Sequence, residues 1–203
     1  IWAYNFELVD VDGDGDLDAI GNEIGQFLVN DGSGNFTLSQ NLSDSLGFAS
    51  PLVAIGDIDN DGDLDLVFAG EPHMGDEYYY TSVYPFEFSN GKFSPLAPVE
   101  VLMSSYSFEI HVMALANLDA DPELELAIVS QEDYSSKYLQ IHDFVSGNFS
   151  PTTISETSVA NSEVESILIF DVDNNGVNDV VIGTGYSGVS VFENTNGDAT
   201  FFT

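Results

Sequence analysis

Short apolar runs alternate with polar turns along the whole chain, and four of those turns carry the same acidic phrase. The first stretch reads FELVD, LDAIGN, QFLVN and NFTLSQ, and the last reads ESILIFD, NDVVIGTG, GVSVFEN and ATFFT. Short runs rich in Val, Ile, Leu and Phe between turn residues predict β-strands. Between the first two runs of each unit stands DVDGDGDLD from Asp10, DIDNDGDLD from Asp57, NLDADPELE from Asn117 or DVDNNGVND from Asp171. The loop starts lie 47, 60 and 54 residues apart, giving units of about 1–48, 49–105, 106–160 and 161–203, each of four strands. Before the last strand, NDGSGNF, SNGKF, VSGNF and NTNGDATF each place Gly ahead of a Phe that can anchor the unit. Repeated four-strand antiparallel meanders predict an all-β fold, a β-propeller with four blades in this chain and an acidic loop between strands one and two of each.

The loops carry the chemistry. Side chains at positions 1, 3 and 5 of a tight loop converge on one cation, with a backbone carbonyl from position 7 beside them, which is calcium chemistry. In the second loop Asp57, Asp59, Asp61 and Asp65 offer carboxylates, Asp63 its carbonyl, and Gly62 the freedom to turn. The first maps onto it as Asp10, Asp12, Asp14 and Asp18, with Gly15 at the turn and Asp16 as carbonyl donor. In the fourth, Asp171, Asp173, Asn175 and Asp179 surround Gly176, with Val177 as carbonyl donor, so one charge is lost and the oxygen count survives. The third departs most: Asn117, Asp119, Asp121, Glu123 and Glu125 occupy the ligand positions, and Pro122 stands where glycine sits. Proline cannot take a left-handed turn, so this loop either lacks metal or holds it differently. Three Ca²⁺ sites are expected, with residues 117–125 left open as a fourth. Without metal, two carboxylates about 4 Å apart repel by a few kcal/mol even at an effective dielectric of about 20.

A helix-flanked calcium loop needs a bidentate Glu at position 12. Here that position is Gly21, Phe68, Ile128 or Ile182, and both flanks are apolar runs, as in IGDIDNDGDLDLVFAG and LIFDVDNNGVNDVVIG. Each loop therefore joins two strands.

The quoted residues resemble the FG-GAP and VCBS-type repeats of secreted bacterial proteins and, more distantly, the propeller of integrin α subunits. The resemblance covers nearly the whole chain. It rests on the DxDxDGxxDL loop followed by an apolar strand, DLDLVFAG being the closest copy, while the FG and GAP landmarks are missing or blurred. It implies calcium bound between the first two strands of each blade and a ring most often of seven blades. Four blades leave three alternatives: a compact four-bladed propeller, a piece of a larger one, or blades completed by other copies of the chain. End blades without strand exchange are open edges, which favours self-association.

Composition narrows the partners. Two basic residues against 35 acidic ones give a formal charge of −33, which excludes nucleic acid. Four divalent ions would leave about −25, so the remaining surface is acidic too. With 203 residues and 43% hydrophobic content the chain can bury a core. No run of about 20 apolar residues occurs, so no membrane span is predicted. Cysteine is absent, leaving packing and metal as the sources of stability outside the cell. The expected location is secreted or cell-surface, and a chain starting at Ile1 without Met is expected to have lost a signal peptide or other upstream segment. Sequons at Asn35, Asn41 and Asn148 carry little weight, the last weakened further by Pro151.

Propeller geometry puts the acidic loops and the Gly-Phe turns on one rim and the two-to-three loops on the other. The second rim carries GEPHMGDEYYY and SQEDYSSKY. His73, Tyr78, Tyr79, Tyr80 and Tyr134 there either contact a sugar or protein ligand or pack between blades. Catalysis finds little support, because the paired carboxylates are committed to metal. His73, His111 and His142 form no HExxH spacing, and GxSxG is absent. His111 and His142 stand in apolar strand contexts expected of hydrogen-bonded structural histidines. The expected function is a calcium-stabilised adhesion, binding or extracellular structural module whose partner is a protein, a glycan or its own copies. The alternatives are an accessory propeller of a secreted polysaccharide- or phosphate-processing enzyme, and a lectin.

Overall fold

The computed structural model describes residues 6–21, 25–42, 46, 52–69, 73–74, 79–104, 109–131, 136–150, 155–159, 163–185, 188–199 and 201. It is an all-β chain whose antiparallel sheets form the four blades of a β-propeller. Blade 1 runs β1 (Phe6–Val9), β2 (Asp18–Gly21), β3 (Gln26–Asn30) and β4 (Phe36–Asn41), in spatial order. Blade 2 has β5 (Val53–Gly56), β6 (Asp65–Ala69), β7 (His73–Met74), β8 (Tyr79–Ser89), β9 (Lys92–Pro95) and β10 (Val99–Ser104). Blade 3 has β11 (Glu109–Ala116), β12 (Glu125–Gln131), β13 (Lys137–His142) and β16 (Ser155–Val159), with a small hairpin of β14 (Phe144–Val145) and β15 (Asn148–Phe149) before the last. Blade 4 has β17 (Val164–Phe170), β18 (Asp179–Thr184) and β19 (Gly188–Phe192).

The expectation of four strands per unit holds in the sheets of blades 1 and 3 and is modified in blades 2 and 4. In blade 2 the long β8 pairs with β9 through Phe86–Ser89 and with β10 through Tyr79–Val83, so the outer position is split in two. Pro95 and Pro98 stand at the break, where a residue without an N–H cannot continue a ladder. In blade 4 three strands lie among the described residues; of the expected fourth, ATFFT, only Ala199 and Phe201 are described, and both are buried.

Strand alternation gives each blade two apolar faces. One inter-blade core joins Ile20 and Phe27 of blade 1 to Leu66, Phe68, Phe86 and Phe93 of blade 2. The next joins Val67 and Ala69 to Leu126, Ile128 and Phe149. The third joins Ala127, Val129 and Ile141 to Val180, Ile182, Phe192 and Phe201. Odd and even residues of β6 and of β12 thus serve opposite neighbours, as period-two geometry requires. At the centre β11 lies against β5 on one side and β17 on the other. Gly56 makes room there: a Cβ would stand 2.8 Å from Leu124 Cδ1 and push that side chain aside. Among the described residues no helix is long and apolar enough to cross a membrane.

Candidate metal centres in the blade loops

Each acidic loop leaves its blade's first strand and returns as the second. In loops 1, 2 and 4 a glycine at the sixth position has a left-handed φ of 98°, 99° and 94° (Gly15, Gly62, Gly176), a conformation that side chains other than glycine's rarely adopt. Its N–H donates to the first carboxylate: Gly15 to Asp10 Oδ2 at 3.0 Å, Gly62 to Asp57 Oδ2 at 3.0 Å, Gly176 to Asp171 Oδ2 at 2.9 Å. Successive side chains accept N–H groups two residues on, as Asp61 Oδ1 does from Asp63 and Asn175 Oδ1 from Val177. The turn therefore aims the carboxylates inward before any ion is considered.

The ninth residue ties the loop to the blade. Asp65 is fully buried, and its two oxygens accept from Ile58 N at 3.0 Å and Phe88 N at 2.7 Å. Asp18 accepts likewise from Val11 and Asn30, and Asp179 from Val172 and Asn194. Asn30, Phe88 and Asn194 stand at the third-to-fourth strand turn, so that turn and the acidic loop share one rim, as expected. Burial pushes the Asp65 carboxyl up to about 6 against the opposing pull of its two N–H donors.

Ligand atoms gather within 4.8 Å of one another in four places: Asp10, Asp12 and Asp18; Asp57, Asp59 and Asp61; Asp119, Glu125 and Asp143; Asp171, Asp173 and Asp179. Each blade thus holds an acidic cluster that can bind a metal ion. Of the other residues expected as ligands, Asp14 receives Asp16 N in loop 1, and Asn175 receives Val177 N in loop 4, both at loop positions flanking their clusters. Asp16, Asp63 and Val177 enter through their carbonyls; Asn117, Asp121 and Glu123, expected as ligands of loop 3, are not among the gathered Asp119, Glu125 and Asp143, and Asp121 offers its carbonyl to Asn117.

Loop 3 is built differently, and its sequence departures compensate one another. Pro122 has no N–H to donate to the first residue; the first residue is Asn117, whose Nδ2 donates instead to the Asp121 carbonyl. Glu125 fills the ninth position and accepts from Leu118 N through Oε2. Phe144, the counterpart of Phe88, gives its N–H to the Asp143 carboxylate instead. Glu125 Oε1 is left buried without a partner, and Asp143 Oδ1 is in the same condition. Burial first, then the charges of Asp119, Asp121 and Asp143, raise Glu125 to about 7. Asp143 lies just beyond β13, 18 residues after Glu125 and outside the repeated phrase, so loop spacing could not find it.

The residues present fit a bound cation. Asp10 Oδ1, Asp16 Oδ1, Glu125 Oε1 and Asp143 Oδ1 are buried carboxylate oxygens lacking hydrogen-bond partners, an arrangement that costs free energy unless charge or a donor meets them. Oxygen is the sole donor element in these clusters, which suits a hard divalent ion over zinc or copper.

On the opposite rim, His73 and Met74 pair with Tyr80 and Tyr79 as a hairpin. Tyr78 and Tyr134 lie outside the described residues, as do the side chains of His73, Tyr79 and Tyr80. His142 is buried with Nδ1 on the Ser150 carbonyl at 2.9 Å, and its burial lowers its pKa. His111 Nε2 pairs with Gln131 Oε1 at 3.2 Å. No protein-family model matches the chain, and no curated protein matches it significantly.

Proposed function

We propose that the chain is a secreted, calcium-stabilised β-propeller that serves in adhesion or extracellular structure, binding protein, glycan or its own copies through its exposed surfaces. The observation that carries this reading is the acidic cluster that recurs once per blade, with buried carboxylate oxygens of Asp10, Glu125 and Asp143 left without partners in the first and third. Like charges about 4 Å apart repel by about 4 kcal/mol at an effective dielectric of 20, and a divalent cation reverses the sign of that term. Calcium at about 100 times its dissociation constant stabilises the folded chain by about 2.7 kcal/mol per site. Three or four such sites rival the whole net stability of an ordinary domain. The metal's role is structural: it fixes the loop, the loop fixes its two strands, and the blade presents its surfaces.

Residues Asp10, Asp12 and Asp18, Asp57, Asp59 and Asp61, and Asp171, Asp173 and Asp179 are assigned to the three loop sites. Asp119, Glu125 and Asp143 are assigned to the fourth. The resemblance to FG-GAP and VCBS-type repeats supports the same assignment through the DxDxDGxxDL phrase. Calorimetric titration of chelator-stripped protein tests it: saturable uptake of three or four calcium ions is expected, and no measurable uptake at millimolar calcium would sink the reading.

A further inference from the structure

Among the described residues, the two middle blades are covered on both faces, whereas each end blade is covered on one. Equivalent positions of the repeat show the difference directly. Phe93, Phe149 and Phe201 precede or open the last strand of blades 2, 3 and 4 and are 2%, 2% and 6% exposed, each pressed against the blade before it. Phe36 holds that position in blade 1 and is 42% exposed. At the second loop position Val11, Ile58 and Leu118 are 4%, 0% and 1% exposed beneath the following blade, while Val172 of blade 4 is 39% exposed. The surroundings agree: Phe6 and Leu8 share an open apolar depression with Phe36 on blade 1, and Leu168, Phe170 and Val189 lie exposed on blade 4. Contiguous apolar surface of this kind marks an interaction site.

We propose that these two faces are the halves of one further inter-blade interface, and that its occupant is a second copy of the chain, blade 1 of one copy stacking on blade 4 of another. The argument is continuity with the interfaces already inside the molecule. Blade 4's free face is made of the repeat positions that receive the next blade in blades 1 to 3. Blade 1's free face is made of the positions that blades 2 to 4 press onto the blade before them. One chain supplies both halves, so a second copy satisfies both. In the contact, Leu17 of one copy meets Val172 of the other as Leu124 meets Ile58, where the Leu124 N–H donates to the Ile58 carbonyl at 3.2 Å. Such a heterologous contact closes a ring or continues as a filament according to the rotation between copies. Two copies would bring the blade count to about eight, the upper end of the usual propeller range.

This deepens the reading of the chain as a module whose partners include its own copies, and it does not depend on which divalent ion fills the loops. Light scattering in millimolar calcium, from low to high micromolar protein, is expected to give at least twice the 21.9 kDa chain mass. Phe36→Asp and Leu168→Asp are each expected to restore the monomer while keeping a cooperative unfolding transition that no longer depends on protein concentration, since both side chains are exposed within the chain. With no native cysteine, Leu17→Cys and Val172→Cys variants serve as a second readout. Mixed and treated with an oxidant, they are expected to give a disulfide-linked dimer that neither gives alone. A monomer at every concentration overturns the proposal, as does equal cross-linking of Leu17→Cys with itself. An internal disulfide in a monomeric Leu17→Cys/Val172→Cys chain also overturns it, because the chain then closes on itself. Failure of the calcium reading shows separately, as unfolding indifferent to chelation.

Discussion

The Asp65 carboxylate accepts the Phe88 N–H at 2.7 Å across 23 residues of sequence, and that bond joins the acidic loop of blade 2 to the turn after its third strand. Its other oxygen holds Ile58 N within the loop. The residue at the end of the acidic phrase is therefore a clamp between two parts of the blade as well as a neighbour of the cluster.

Asp65→Asn is expected to destabilise the chain by about 2–3 kcal/mol, because an amide offers one acceptor oxygen to two buried N–H groups and turns a donor toward the other. Urea unfolding in millimolar calcium measures it. A change under about 0.5 kcal/mol would refute the clamp.

The Asn117 and Pro122 departures in loop 3 are expected to be coupled. Asn117→Asp alone removes the amide donor to the Asp121 carbonyl and adds a charge that no N–H meets, so it is expected to destabilise. Adding Pro122→Gly restores the N–H that serves the first carboxylate in the other loops. A double-mutant cycle in calcium is expected to show a favourable coupling of about 1 kcal/mol, and strict additivity would contradict the compensation.

Asp143→Ala is expected to remove one bound ion while the other sites keep theirs. Metal analysis of the purified protein after exhaustive calcium dialysis reads the count. An unchanged count would place the fourth ion elsewhere or nowhere.

The metal-free chain is expected to lose stability as pH rises. Asp65 and Glu125 titrate in the folded chain at about 6 and about 7, above their ordinary 3.8 and 4.5. The folded state therefore holds these protons more tightly than the unfolded one, so their contribution is complete below about pH 4 and is lost through about pH 6–7. In excess chelator, urea midpoints at pH 8 are expected below those at pH 5. Saturating calcium is expected to reverse that difference, since the ion takes the deprotonated form. Equal slopes with and without calcium would contradict the assignment of these carboxyls to metal-linked clusters.

Much of this was legible in the sequence because it is periodic. Four acidic phrases in phase fixed the strand flanks, the blade count and the rim shared by loop and turn. Phe93, Phe149 and Phe201 anchor their blades as the Gly-Phe pattern led one to expect. Phe36 repeats the pattern and stays exposed, since anchoring requires a preceding blade that the periodicity alone does not supply. The split outer strands of blade 2 followed from Pro95 and Pro98, whose effect depends on where the ladder runs. Asp143 was invisible for a plainer reason: it reaches the third cluster through the fold, from beyond β13, and no spacing rule within the loop includes it. Asn194 was likewise hidden, a buried amide whose Nδ2 bridges to the Leu118 carbonyl of the preceding blade at 2.6 Å.

The most direct test is thermal unfolding of the chain in millimolar calcium and again in excess chelator. Loss of three or four sites of about 2.7 kcal/mol each is expected to lower the melting temperature by about 20–40 °C, or to leave no cooperative transition at all. Identical melting in the two conditions would contradict the claim that metal ions in the blade loops hold this propeller together.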